Sequence, residues 1–147
     1  MNLNPLEISI IIFILMESMN VFILYFYPHL KIGNGIGVFD EWFKSQEDEN
    51  TKLFVRYLVN WVAGVKLIFI VLLLVILLYG NELTKLFGVC AMILSILTYY
   101  WRLHPIIKKL DSLGQVTPKN YSKALFGMIT GFISMFITAI IIYYINY

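Results

Sequence analysis

Four long runs of apolar residues, separated by polar segments, dominate the pattern of this chain. Each run is close to twenty residues or longer, which is the length that an α-helix needs to cross a hydrocarbon layer about 30 Å thick. The runs cover approximately residues 8–27, 53–79, 83–101 and 121–144. Pro28 ends the first run, Gly80 ends the second, and Asn81 can cap the third. The pattern predicts an all-α integral membrane protein with four transmembrane helices in an antiparallel bundle.

The two longer connections, residues 28–52 and 102–120, carry amphipathic segments as well as polar ones. In the first, a flexible glycine-rich turn at residues 33–37 precedes residues 38–43, in which the apolar side chains share one helical face. In the second, Pro105 can begin a helix with a similar apolar side. This spacing predicts two short interfacial helices on one side of the membrane.

Composition agrees with a membrane protein of one domain. Of the 147 residues, 60% are hydrophobic and only 14% are charged, whereas about a quarter of the residues in soluble chains are charged. We therefore expect residues 1–147 to form a single transmembrane domain in contact with the lipid bilayer. The net charge of +2 and the lack of a long basic tract argue against a nucleic-acid partner. A single cysteine, Cys90, excludes an intramolecular disulfide.

Basic residues are distributed unevenly between the two sides of the predicted bundle. Of the eleven lysines and arginines, nine lie in or beside the two longer loops, and the other two are Lys66 and Lys85. Lys66 is inside the second apolar run, so only Lys85 lies on the opposite side. The positive-inside rule then predicts that both loops, with their interfacial helices, are cytoplasmic and that both termini are outside. Usage rich in Ile, Lys, Asn and Tyr favours a bacterial plasma membrane.

Two charged residues, Glu17 and Lys66, lie near the middle of the first and second runs. Glu17 is eleven residues before Pro28, and Lys66 is ten residues after Arg56. At a rise of about 1.5 Å per residue, both lie about 15 Å from the same edge of the membrane. A lone charge at that depth costs about 3 kcal/mol, so we expect the two side chains to form an ion pair.

Two asparagines accompany these charges. Asn20 shares a helical face with Glu17, and Asn60 shares one with Arg56, which places the asparagines level in an antiparallel pair. Lys66 is about 120° around its helix from Asn60, so its side chain must bend to reach Glu17. The group indicates a binding site for a proton, an ion or a substrate headgroup. The alternative is a structural ion pair that fixes the register of two helices.

Small residues in two of the runs predict close helix packing. Gly64 lies in the second run, and in the fourth Gly127 and Gly131 are followed by Ser134 and Thr138 on the same side. Small side chains let helix backbones approach closely, and hydroxyls can form hydrogen bonds across the contact. This side of the fourth helix could face another helix of the chain or a second copy of it.

Arg56, Arg102 and His104 are predicted to lie at the cytoplasmic edge of the membrane. Arginine can bind a phosphate or a carboxylate through paired hydrogen bonds, so these residues are candidates for binding an anion. The alternative is that they only contribute to the positive-inside bias. His29 and His104 lie in separate segments without the spacing of metal ligands, so we expect no metal site. The sequence leaves any cofactor unknown.

Together these features favour a small transporter or channel-like protein that handles an ion or a small anionic or amphiphilic solute at its Glu17–Lys66 site. Four helices enclose little volume, so we expect a homo-oligomer or a partner membrane subunit. Two alternatives stay open, and with them the question of whether the protein is an enzyme. One is a membrane-embedded enzyme acting on a lipid-soluble substrate, and the other is an accessory or structural subunit of a larger membrane complex.

Overall fold

The computed structural model describes residues 3–146, which form helices joined by short loops. The α-helices are α1 (Pro5–Phe26), α2 (Asp40–Lys44), α3 (Glu49–Tyr79), α4 (Glu82–Arg102), α5 (His104–Ser112) and α6 (Tyr121–Asn146). A 3-10 helix, Ile36–Val38, precedes α2, and no strand occurs within the described range. Four stretches, namely α1, α3, α4 with α5, and α6, are long and apolar enough to cross a membrane. The prediction of an all-helical chain with four such stretches is confirmed.

The beginnings of the long helices follow from capping chemistry. The Asn4 side chain accepts a hydrogen bond from the N–H of Glu7 at 2.9 Å, and the Glu7 carboxylate accepts one from the N–H of Asn4 at 3.0 Å. This reciprocal capping box fixes the first turn of α1. Asp48 and Asn81 cap α3 and α4 in a similar way, each accepting from the N–H three residues later. Helices α1 and α3 therefore begin a few residues before the apolar runs do.

Helix α1 lies at the centre of the fold. It contacts α3, α4 and α6, and its side chains Leu6 and Ile10 are fully buried. Phe13 packs edge-on against Phe132, with ring centroids 5.1 Å apart, and lies 5.4 Å from Phe136. Helices α3 and α4 bury few of their apolar side chains and expose the rest. Such an apolar exterior suits contact with lipid, which solvates apolar side chains as well as a protein core does.

The two longer loops meet at one end of the helices, which we call the loop face. Thr117 donates its N–H to the carbonyl of Val38 at 2.8 Å, next to an isolated β-bridge. The hydroxyl of Tyr121, at the start of α6, donates to the carbonyl of Gly33 at 2.8 Å. The short helices α2 and α5 lie in these loops, where the sequence predicts two interfacial helices. Their position relative to a membrane stays a prediction.

The glycine-rich turn after α1 is closely packed. A Cβ added to the buried Gly37 would lie 2.3 Å from the carbonyl carbon and oxygen of His29. A Cβ added to Gly35 would lie 2.9 Å from the Ile32 carbonyl oxygen and 3.7 Å from the Ile23 side chain. Only glycine allows these approaches, so the turn folds back against α1. The sequence predicts a flexible turn here, and in the structure the backbone of this turn packs closely against neighbouring carbonyl groups.

Candidate functional site

An ion pair joins α1 to α3 near the middle of both helices. The Nζ atom of Lys66 lies 2.6 Å from Oε2 of Glu17. The two side chains are 23% and 20% exposed, respectively. A contact this short is a charge-assisted hydrogen bond, and the contact predicted from counting depth is therefore present.

Lys66 reaches Glu17 because it lies on the side of α3 that packs in the protein. The buried residues of α3 are Val59, Ala63, Ile70 and Leu73. Lys66 continues this stripe at helical spacing. Asn60 and Arg56 are both exposed, whereas Ala63 is fully buried. The structure therefore does not pair Asn60 with Asn20.

Asn20 lies beside the ion pair, and one polar atom of its side chain is unsatisfied. The residue is 7% exposed, and its Oδ1 has no hydrogen-bond donor in the part of the chain that the structure describes. With Glu17 and Asn34 it lines a cavity of about 40 Å³. A buried carbonyl oxygen without a donor costs free energy, so water, an ammonium ion or another donor suits this position.

A larger cavity lies on the Lys66 side of the pair. It measures about 270 Å³ and is lined by apolar residues of α1 and α3 together with Lys66 and part of the glycine-rich turn. Asn34, an exposed residue of that turn, lines both this cavity and the smaller one. The ion pair thus has one polar neighbour from α1, Asn20, and one from the loop, Asn34. No local sequence pattern identifies Asn34, since its role depends on the turn folding back.

The residues predicted to bind an anion at the membrane edge are not assembled into one site. Arg56 is exposed on α3, and the exposed Arg102 places its guanidinium 4.8 Å from the centre of the Trp101 ring. His104 is half-buried, and its Nδ1 lies 3.3 Å from the Tyr99 hydroxyl. No hydrogen bond links Arg56, Arg102 and His104 among residues 3–146.

A second polar network, which no sequence pattern predicts, lies at the end of the helices opposite the loop face. Lys85 in α4 has its Nζ 2.5 Å from Oε1 of Glu7 and 3.2 Å from Oε1 of Glu82. Asn4 donates from Nδ2 to the other oxygen of Glu82. The Lys85 side chain is only 8% exposed. This network connects the starts of α1 and α4, and its polar atoms satisfy one another.

The small residues of α6 lie on its exposed surface. Gly127, Gly131, Ser134 and Thr138 are all exposed. A Cβ added to either glycine would have no atom within 4 Å. Close packing of these two glycines against another helix is therefore absent within the described chain. Gly64 differs, because a Cβ added there would lie 3.5 Å from the Tyr25 hydroxyl of α1.

Neither a metal cluster nor a relative points to a function. Among the described residues, no group of three or more His, Cys, Asp or Glu side chains could hold a metal ion. No protein-family model matches the chain, and neither a curated protein nor a solved structure matches it. Function must therefore be inferred from the chemistry of the site itself.

Proposed function

We propose that this chain is a small membrane transport protein in which Glu17 binds and releases a proton or a monovalent cation, with Lys66 as its counter-charge. In this proposal the four long helices cross the bilayer as an antiparallel bundle, and α2 and α5 lie at the cytoplasmic surface. The observation that supports it is the 2.6 Å contact between Glu17 and Lys66 beside the unpaired Oδ1 of Asn20.

The ion pair couples the charge of Glu17 to the position of Lys66. While the pair is closed, the two charges neutralise each other in apolar surroundings. A proton or a cation on Glu17 leaves the Lys66 ammonium unpaired, at a cost of about 3 kcal/mol near the middle of a bilayer. The unpaired ammonium then favours a conformation in which it reaches water or another anion. Binding at Glu17 thereby shifts a conformational equilibrium, as coupled transport requires.

The smaller cavity, on the Glu17 side of the pair, has room for an ion but not for an organic solute. Its volume of about 40 Å³ is enough for about three water molecules. Drug-sized ligands occupy cavities of about 300 Å³ or more. The lining at this point includes the carboxylate of Glu17 and the amides of Asn20 and Asn34. Oxygen atoms of this kind can coordinate a small hydrated cation, and they can also order the water that delivers a proton.

Ion flux into liposomes containing the purified protein tests this function. Glu17→Gln, Lys66→Met and the double variant are compared with the wild type, using trapped dyes that report pH and K⁺. We expect Glu17→Gln to slow flux about tenfold or more, because an amide cannot exchange a proton or carry the charge that holds a cation.

The exposed pair of Glu41 and Lys44 on α2 supplies a matched control. It has the same contact distance of 2.6 Å, but its side chains are 58% and 61% exposed. The double variant Glu41→Gln/Lys44→Met removes the same charges from the surface and should leave flux unchanged. If the Glu17 and Lys66 variants insert normally and transport like the wild type, the proposed function is wrong.

An accessory subunit is the second candidate, supported by the exposed glycines of α6. Gly127 and Gly131 offer a surface for close packing that nothing in the described chain occupies. Co-purification with another membrane protein at a fixed stoichiometry, together with an absence of flux from the isolated chain, would favour this candidate. The embedded-enzyme hypothesis lacks comparable support, since Arg56 and Arg102, the expected anion-binding residues, are not brought together in the described chain.

A further inference from the structure

A basic cavity lies between α5 and the start of α6 on the loop face. Its volume is about 540 Å³, and its lining includes Lys108 from α5, Lys119 from the preceding loop and Lys123 from α6. It shares no lining residue with the two cavities beside Glu17 and Lys66. The inference drawn from this cavity therefore does not rest on the proposed function.

The three lysines carry positive charge that the protein does not neutralise by pairing. Lys108, Lys119 and Lys123 form no salt bridge within residues 3–146. In the other long loop and the start of α3, Lys44 and Lys52 each pair with a glutamate three residues earlier. A general excess of basic residues on one side of a membrane does not explain this difference. Of the seven lysines and arginines that form no salt bridge in the described chain, three line this one cavity.

The only acidic residue in the lining is occupied by the start of α6. Oδ1 of Asp111 accepts the N–H of Asn120 at 3.1 Å, and its Oδ2 accepts both the N–H and the hydroxyl of Ser122. These bonds cap the helix and hold the segment that carries Lys119 and Lys123. Three lysines therefore face one aspartate whose oxygens already accept hydrogen bonds from the protein.

Aromatic rings form another part of the lining. The ring of His104 packs against that of Phe126, with centroids 5.0 Å apart, and Phe126 is 41% exposed. Nδ1 of His104 contacts the Tyr99 hydroxyl. Its Nε2 has no hydrogen-bond partner in the described chain, so this atom can donate to or accept from a ligand. The cavity therefore combines an apolar part with a basic part.

We infer that this cavity binds a phosphate group, carried by an anionic lipid or by a small soluble phosphate ester. Lysine ammonium groups bind phosphate oxygens as point charges, and three lysines with one aspartate give the lining a net positive charge that complements an anionic phosphate. The apolar part suits the glycerol carbons next to the phosphate in either kind of molecule. The lysines take the anion-binding role that the sequence suggests for Arg56 and Arg102.

Binding is measured on the full chain in nanodiscs, in two arms that separate the two sources of phosphate. In one arm, glycerol 3-phosphate is titrated by calorimetry onto protein in neutral phosphatidylcholine. In the other, the lipid includes phosphatidylglycerol, and native mass spectrometry counts the anionic lipids retained. The variant Lys108→Gln/Lys119→Gln/Lys123→Gln should bind about a hundredfold more weakly, since each charge-assisted hydrogen bond from a lysine to the phosphate contributes about fivefold.

A control variant, Lys44→Gln/Lys52→Gln/Lys109→Gln, removes three lysines from the same region without touching the lining of the cavity. It should weaken binding about threefold or less, as expected from general surface charge alone. If the first triple variant does not fold, Lys108→Gln is compared with Lys109→Gln, its neighbour on α5, and about a fivefold difference is expected because only Lys108 lines the cavity.

Saturable binding of glycerol 3-phosphate in neutral nanodiscs supports the inference and identifies a soluble ester as the ligand. Saturable retention of phosphatidylglycerol alone supports it and identifies a lipid headgroup. Equal losses in the cavity variant and the control would show that only surface charge acts, which overturns the inference. An absence of saturable binding in both arms overturns it as well.

Discussion

At the scale of single residues, the stability of the Glu17–Lys66 pair depends on keeping both charges or neither. Removing one partner leaves a charge in apolar surroundings, at a cost of about 3 kcal/mol. We expect Glu17→Gln and Lys66→Met each to lower the free energy of unfolding by about this amount, and the double variant to regain most of it. Denaturant unfolding in bicelles measures the coupling. Additive losses in the double variant would show that the pair contributes no interaction energy.

Asn20 offers a way to separate function from stability at the same site. Its buried Oδ1 has no donor among residues 3–146, so replacing the side chain with an apolar one of similar volume removes an unsatisfied group. We expect Asn20→Leu to keep or raise the free energy of unfolding, by up to about 1 kcal/mol, while slowing flux through liposomes. A loss of stability without any loss of flux would indicate instead that Asn20 has a purely structural role.

At the scale of elements, the turn after α1 places Asn34 beside the ion pair only if Gly37 stays without a side chain. The Cβ of Gly37→Ala would lie 2.3 Å from the backbone of His29, which cannot move away without shifting the end of α1. We expect a loss of about 2 kcal/mol in the free energy of unfolding. Gly88→Ala in α4, where the added atom would lie 3.6 Å from the Ile76 side chain, is the control and should not lower the free energy of unfolding. Equal thermal unfolding of the two variants would contradict this view of the turn.

The four long helices can be located from the sequence because few other structures contain apolar runs of that length. The contact of Glu17 with Lys66 also follows from counting residues along two such runs. The packed side of α3 does not, because lipid-facing and protein-facing surfaces are equally apolar. Because Asn60 is polar, the sequence predicts that it faces the protein interior. In the structure Asn60 is exposed, and Lys66 lies on the buried stripe of α3.

Sequence patterns also do not predict the contacts between segments that are far apart in the chain. Asn34 joins the site only because its turn folds back on α1. The network around Lys85 forms only because the starts of α1 and α4 meet. The sequence shows that Glu7 can form a capping box and that Glu82 is three residues before Lys85. Neither observation predicts that Glu7 and Glu82 lie close to each other. Three-dimensional packing alone brings these residues together.

At the scale of the whole molecule, the exposed glycines of α6 predict self-association. A second copy of the chain could pack closely on Gly127 and Gly131, since nothing in the described chain covers them. We expect Gly131→Leu to keep the fold of the single chain and to weaken the oligomer about tenfold, as judged by single-molecule photobleaching in bilayers. Ile137→Ala, another exposed position on α6, is the control. Equal oligomer populations in both variants would remove the support for this interface.

The two ends of the molecule differ in how many of their basic residues form salt bridges. On the loop face, Lys108, Lys119 and Lys123 form no salt bridge in the described chain. At the opposite end, Lys85 is held by two carboxylates, so that end presents no unpaired lysine or arginine among the described residues. The positive-inside rule counts lysines and arginines near the membrane, and it predicts that the loop face is cytoplasmic.

Cysteine labelling in intact cells tests this orientation. In a Cys90→Ser background, a membrane-impermeant maleimide should label Asn146→Cys, near the end of α6, without permeabilisation. Lys109→Cys, exposed on α5, should react only after the membrane is permeabilised. Both positions are exposed, so differences in labelling report the side of the membrane rather than burial in the protein. The reverse pattern would place the loop face and its basic cavity outside the cell, where the cavity could not meet cytoplasmic phosphate esters.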